Sequence, residues 1–100
     1  MQIYDLMDFE AKAYEQRQSN VLYQNDTFKM RIIVLEAGGR IPACHMDTHV
    51  LFSVVQGTVR ITRNGETAVL KENQVCITEP ATLSMESDSG ARLMGIQIKV

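Results

Sequence analysis

The chain of 100 residues has no tryptophan and few other aromatics, three Tyr and three Phe. It also has only two prolines, two cysteines and two histidines. No apolar run approaches the roughly 20 residues that a membrane-spanning helix needs. The N-terminus, MQIYDLMDFE, lacks a basic region ahead of an apolar core, so it does not read as a secretory signal. A cytoplasmic location is therefore expected. Charge of one sign is also missing. The formal net charge is −2, with no block of like charges. The footprint for nucleic acid is absent, and so is a polybasic membrane anchor. Cys44 and Cys76 lie far apart and form no CxxC. In a cytoplasmic chain they read as two reduced, buried thiols rather than a disulfide or a metal pair.

What is present is an ordinary globular composition, with 45% hydrophobic and 22% charged residues, which argues against disorder. The length suits one domain over residues 1–100, with a lead-in over 1–20 and the packed body over 21–100. Six methionines are many for this length, and Met fills irregular apolar gaps.

Helix-like composition is confined to Asp8–Gln18, where the apolar stripe is thin and only a turn or two is expected. Met1–Leu6 reads as a short strand or an irregular segment. From Val21 the pattern is β. Val21–Gln24 is a strand, Asn25-Asp26 a turn, and Thr27–Glu36 a strand whose first half has one wet face. After the turn Ala37–Arg40, Ile41-Pro42 leads out to the strong strand Val50–Val55. Gly57 interrupts that run, as glycines at bulges do. Thr58–Arg63 alternates cleanly, and Asn64-Gly65 signals a type I′ hairpin returning along Glu66–Leu70. Lys71–Gln74 is a turn. Val75–Thr78, Thr82–Glu86 and Ala91–Val100 complete about eight or nine short strands, an all-β sandwich or barrel. The HMDTH stretch spaces its histidines like a zinc-protease helix. It lacks the Glu after the first His and sits among β signals, so a helical metal site is set aside.

Four pieces of the chain, spanning roughly Val21 to the C-terminus, resemble the cupin family. Leu35-Glu36-Ala37-Gly38 followed by Ile41-Pro42 is similar to the lead-in of the first cupin motif. Phe52–Val59, FSVVQGTV, resembles the core of that motif. The Asn64-Gly65-Glu66 hairpin follows. Leu70–Ala81 resembles the second motif, with Asn73-Gln74 where Gly-Asp is usual and Pro80-Ala81 where Pro-Pro or Pro-Gly is usual. The resemblance implies a cupin, or double-stranded β-helix, barrel of the jelly-roll kind, often a homodimer. Strand exchange through Met1–Tyr4 is the route it suggests.

Metal-dependent cupins hold Fe, Mn, Ni or Zn through His-x-His, a carboxylate and a later His. In this sequence the first two positions fall on Cys44 and Met46, the carboxylate on Val50, and the last His on Ser84 or its neighbours Leu83 and Met85. None of these is His, Asp or Glu. His45, Asp47 and His49 alternate with them and share the opposite face of an extended chain. A one-residue bulge between Pro42 and Val50 would turn that face inward.

Two readings follow. The favoured one is a small-molecule-binding barrel without a metal or other cofactor, with Cys44, Met46, Phe52 and Met85 lining an apolar pocket. In the other, His45, Asp47 and His49, joined by Cys44 or Cys76, bind a divalent transition metal in a dioxygenase or isomerase. A metal-free enzyme using His45 or His49 as general base is a third, lesser reading.

Overall fold

The computed structural model describes residues 1–99. Nine strands follow a short 3₁₀ segment over Tyr14–Asn20: β1 (Val21–Gln24), β2 (Phe28–Leu35), β3 (Arg40–Met46), β4 (His49–Gly57), β5 (Val59–Arg63), β6 (Glu66–Leu70), β7 (Val75–Thr78), β8 (Ala81–Glu86) and β9 (Ala91–Ile98). They form two antiparallel sheets, ordered β1-β2-β9-β4-β7 and β3-β8-β5-β6. No helix among the described residues is long and apolar enough to cross a membrane.

Alternation decides what lies between the sheets. Along β4, Val50, Phe52 and Val54 are buried while their neighbours are not. Val59 and Ile61 do the same on β5, and Ala81, Leu83 and Met85 on β8. These side chains meet Ile33, Leu35 and Leu93 from the first sheet in one continuous core. Removing Leu93, which is fully buried, would cost about 2–5 kcal/mol in transfer and cavity terms.

The strand pattern read from the sequence is largely observed, and Asn64 and Gly65 take the positive φ angles of a type I′ turn. The lead-in differs. The expected turn within Asp8–Gln18 falls later, over Tyr14–Asn20, because the Asn20 side chain ties it down. Asn20 accepts from the Lys12 N–H at 2.8 Å and donates to the Lys12 carbonyl at 2.9 Å. Met1–Leu6 is irregular and lies against its own chain, with the Tyr4 hydroxyl donating to the Leu22 carbonyl at 2.7 Å. The expected closing strand stops at Ile98, and its last residue, Val100, lies outside the described residues.

One end of the barrel is clasped. The crossings β2–β3, β4–β5, β6–β7 and β8–β9 all converge there. Ser87, in the β8–β9 turn, is buried. Its hydroxyl donates to the Thr58 carbonyl at 2.6 Å and accepts from the Gly90 N–H at 3.0 Å. Its backbone N–H donates to the Gly39 carbonyl at 3.0 Å, and its carbonyl accepts from Gly38 at 2.8 Å. Beside it Arg60 forms a two-pronged pair with Asp88, at 2.8 and 2.9 Å, which holds the Asp88 carboxyl below its ordinary range. Gly57 has φ +87°, and a Cβ there would fall on the Gly90 carbonyl oxygen.

Two substitutions test the clasp. Gly57→Ala should destabilise by at least about 2 kcal/mol, from left-handed strain and the backbone collision. Ser87→Ala should cost about 1–3 kcal/mol, because it removes two hydrogen bonds made by a buried hydroxyl, to the Thr58 carbonyl and from the Gly90 N–H. The urea midpoint reads both.

Candidate functional site

The clasp leaves the opposite end to open. There a cavity of about 50 Å³ lies between the sheets. That is room for a few waters or the body of a small molecule, and well short of the few hundred Å³ that enclose a drug-sized ligand. Its apolar walls come from Ile33 on β2, Phe52 on β4, and Leu83 and Met85 on β8. Gly95 forms its floor. Register places Gly95 between Arg31 and Phe52 on the inner face of the first sheet. A side chain there would press on the Ile33 methyl at 3.2 Å and the Phe52 ring at 3.5 Å.

The four residues named from sequence as pocket lining, Cys44, Met46, Phe52 and Met85, all border this cavity. Met85 and Phe52 are buried, and Met46 is half-buried against the core. Cys44 is exposed, which corrects the expectation of two buried thiols. The cause is position: β3 is an edge strand, and the cavity opens past it. Cys76 is half-buried against the core, and burial pushes its thiol up, with Arg63 opposing.

The strand β3 carries the bulge on which the histidine question turned. Ile41 pairs with Met85 and Cys44 with Leu83, so one extra residue sits between Ile41 and Cys44. It acts opposite to the way the metal reading required. The bulge puts Cys44 and Met46 on the same inner face as Ile41 and leaves His45 outside. His45 Nε2 lies 3.1 Å from Asp47 Oδ1, and these side chains are 65% and 90% exposed. His45 Nδ1 is 3.5 Å from the Thr82 hydroxyl on the outer face of the second sheet. His49 alternates with the inward Val50 and pairs with Ile98 on the outer face of the first sheet. No group of three His, Cys, Asp or Glu side chains converges among the described residues.

The donor set at the cavity itself was tested against the metal that the cupin resemblance implies. It consists of the Cys44 thiol, the Met46 and Met85 thioethers, the Tyr14 phenol, the Ser84 hydroxyl, the Gln97 amide and the Arg31 guanidinium. It offers no imidazole or carboxylate, and it includes a fixed cation that repels a divalent ion. These residues do not fit an Fe, Mn, Ni or Zn centre of that kind.

Among the lining residues outside the expected set, Arg31, Tyr14 and Gly95 matter most. Arg31 sits on β2 two residues before Ile33, on the same inward face. In sequence it reads as part of a wet face. Tyr14 arrives from the 3₁₀ segment and packs on the core, with the Arg17 guanidinium 4.5 Å over its ring. Gly95 had a readable signal, since an isolated glycine within a strand marks close approach or missing volume.

No protein-family model matches the chain, and no curated protein matches it. Solved structures do. The chain is similar to a cupin superfamily protein from Desulfitobacterium hafniense, with a TM-score of 0.75 and 15% identity over 92% of this chain and 84% of that one. It is similar to the cupin domain of Cnp3 from Schizosaccharomyces pombe, with a TM-score of 0.74 and 20% identity over 80% of this chain and 62% of that one. A conserved protein of unknown function from Streptococcus pyogenes matches at a TM-score of 0.74 and 16% identity, over 80% and 71% of the two chains. At these identities the likeness is one of architecture: the chain has the cupin fold, as its motifs implied.

The two thiols give a direct check on the site. Cys44 should react with iodoacetamide at least ~tenfold faster than Cys76, whose burial limits both access and thiolate formation. Peptide mass spectrometry over a time course measures the two rates.

Proposed function

We propose that the protein is a small-molecule-binding barrel whose interior takes a small, largely apolar ligand without a metal. One observation carries this: the open end of the barrel keeps an apolar cavity, with a glycine in its lining where a side chain would crowd the Ile33 and Phe52 walls. A packed β-sandwich normally closes such voids, because atoms facing a void have no packing partners on that side and the fold is less stable for it. The soft lining of Met46, Met85 and Phe52 favours a ligand body over a hydrated ion. The cupin fold of the neighbours supports a site inside the barrel, and a fold alone does not choose the ligand.

Binding is tested by a thermal-shift and amide-NMR screen of small organic compounds. The expected result is a raised unfolding midpoint with shifts centred on Phe52 and Gly95, unchanged by a chelator. Gly95 has an ordinary backbone conformation, so Gly95→Ala should keep stability within about 1 kcal/mol while its methyl takes up cavity space. Affinity should fall with it. Compounds whose binding resists Gly95→Ala, or maps to the exterior, would overturn the reading.

A further inference from the structure

We propose that the cavity is an anion site, with Arg31 holding the carboxylate of a short-chain organic acid whose tail lies on Phe52 and Gly95. This rests on the barrel reading above and adds the chemical class of the ligand.

Arg31 is half-buried and lines the cavity. Among the described residues it makes no ion pair and no side-chain hydrogen bond. Every other arginine placed in a contact has one: Arg60 with Asp88 and Glu86, Arg63 with Glu66, Arg40 with Glu86, Arg92 with the Leu6 and Phe9 carbonyls, and Arg17 with the Tyr14 carbonyl. A guanidinium keeps its charge at any working pH, so Arg31 is a cation facing apolar walls with five donors that no described protein group accepts from. Burial lowers its pKa, Tyr14 opposes this, Arg17 adds to it and Cys44 opposes it. No carboxylate is among the groups that act on it.

The surroundings select the anion. No Asp or Glu borders the cavity. Arg17 adds a second positive charge beside Tyr14. Lys29 shares the inward face of β2 and pairs across to Gln97, which lines the cavity. A chain of net charge −2 thus presents a locally positive mouth. A single charge is favoured, because Arg31 alone of the three cations lines the cavity, and one half-buried guanidinium offsets the desolvation of one carboxylate and not of a dianion. Planar two-pronged pairing suits carboxylate to arginine. The apolar walls and small volume suit a tail of only a few carbons.

Cys44, at the mouth, reports occupancy. The probes are butyrate, its neutral isostere butyramide, and inorganic phosphate, with iodoacetamide as the labelling reagent and Cys76 as internal reference. Butyrate at ten times its Kd should slow Cys44 alkylation about tenfold. Butyramide and phosphate should give little protection. Arg31→Gln should weaken butyrate protection about ten- to hundredfold, and Arg31→Lys should retain part of it. Arg31→Met, which removes an unpaired cation, should raise the urea midpoint, so the variants are expected to fold. Equal protection by butyrate and butyramide, or full protection in Arg31→Gln, overturns the anion site and leaves the barrel reading standing. Equal protection by phosphate overturns the organic-acid class. Protection by none of the probes overturns this proposal, while the wider compound screen judges the barrel reading separately.

Discussion

A single buried hydroxyl holds the two sheets to one another at the clasped end. Ser87 Oγ donates to the chain leaving β4 and accepts from the chain entering β9, while its backbone meets the β2–β3 turn. Three crossings between the sheets therefore share one residue. The hydroxyl itself is buried and both its bonds go to backbone groups, so losing them would leave those groups to find other partners. Gly57 and Gly90 allow the strands to come close enough for this to happen. With closure concentrated at one end, the far end can leave volume unfilled without losing the fold.

That division separates the packed core from the end that keeps a cavity. The core around Leu93, Val54 and Ile61 is buried and built from residues with defined rotamers. Toward the open end the lining shifts to Met46, Met85, Cys44, Phe52 and Arg31. Thioethers adapt to shape, and an unpaired cation is tolerated only where something offsets its cost. The exposed His45–Asp47 pair is the opposite case, since a pair open to water on both sides adds little.

Most of the fold was legible because its signals are local. The Asn64-Gly65 turn, the alternation of Val59 and Ile61, and the Gly57 break each depend on a few adjacent residues. The strand β3 was harder, because Pro42 and Ala43 interrupt its pattern and its partner, β8, lies far along the chain. Lining by Cys44 and Met46 followed from counting back from Gly57, and it holds because the Asp47-Thr48 bend between the sheets keeps Met46 and Val50 both on the cavity. Arg31 was hidden for a physical reason. A charged residue alternating with apolar ones looks like a solvent face, and only the packing of Tyr14 and the second sheet makes that face an interior. The exposure of Cys44 was hidden likewise, since edge position is a property of sheet order.

The bulge between Ile41 and Cys44 works as a phase setting for the interior. Upstream of it Ile41 is fixed in the core, and downstream every second residue faces the cavity. The extra residue there absorbs one step of the alternation, so Ile41 and Cys44 face the same way although they lie an odd number of positions apart. Deleting Pro42 or Ala43 would remove the bulge and leave Cys44 opposite Leu83 and Met46 opposite Ala81, with the same side chains inside. The edge strand thus carries a residue of slack: its length can change at this point while the lining of the cavity and the clasp at the other end stay as they are.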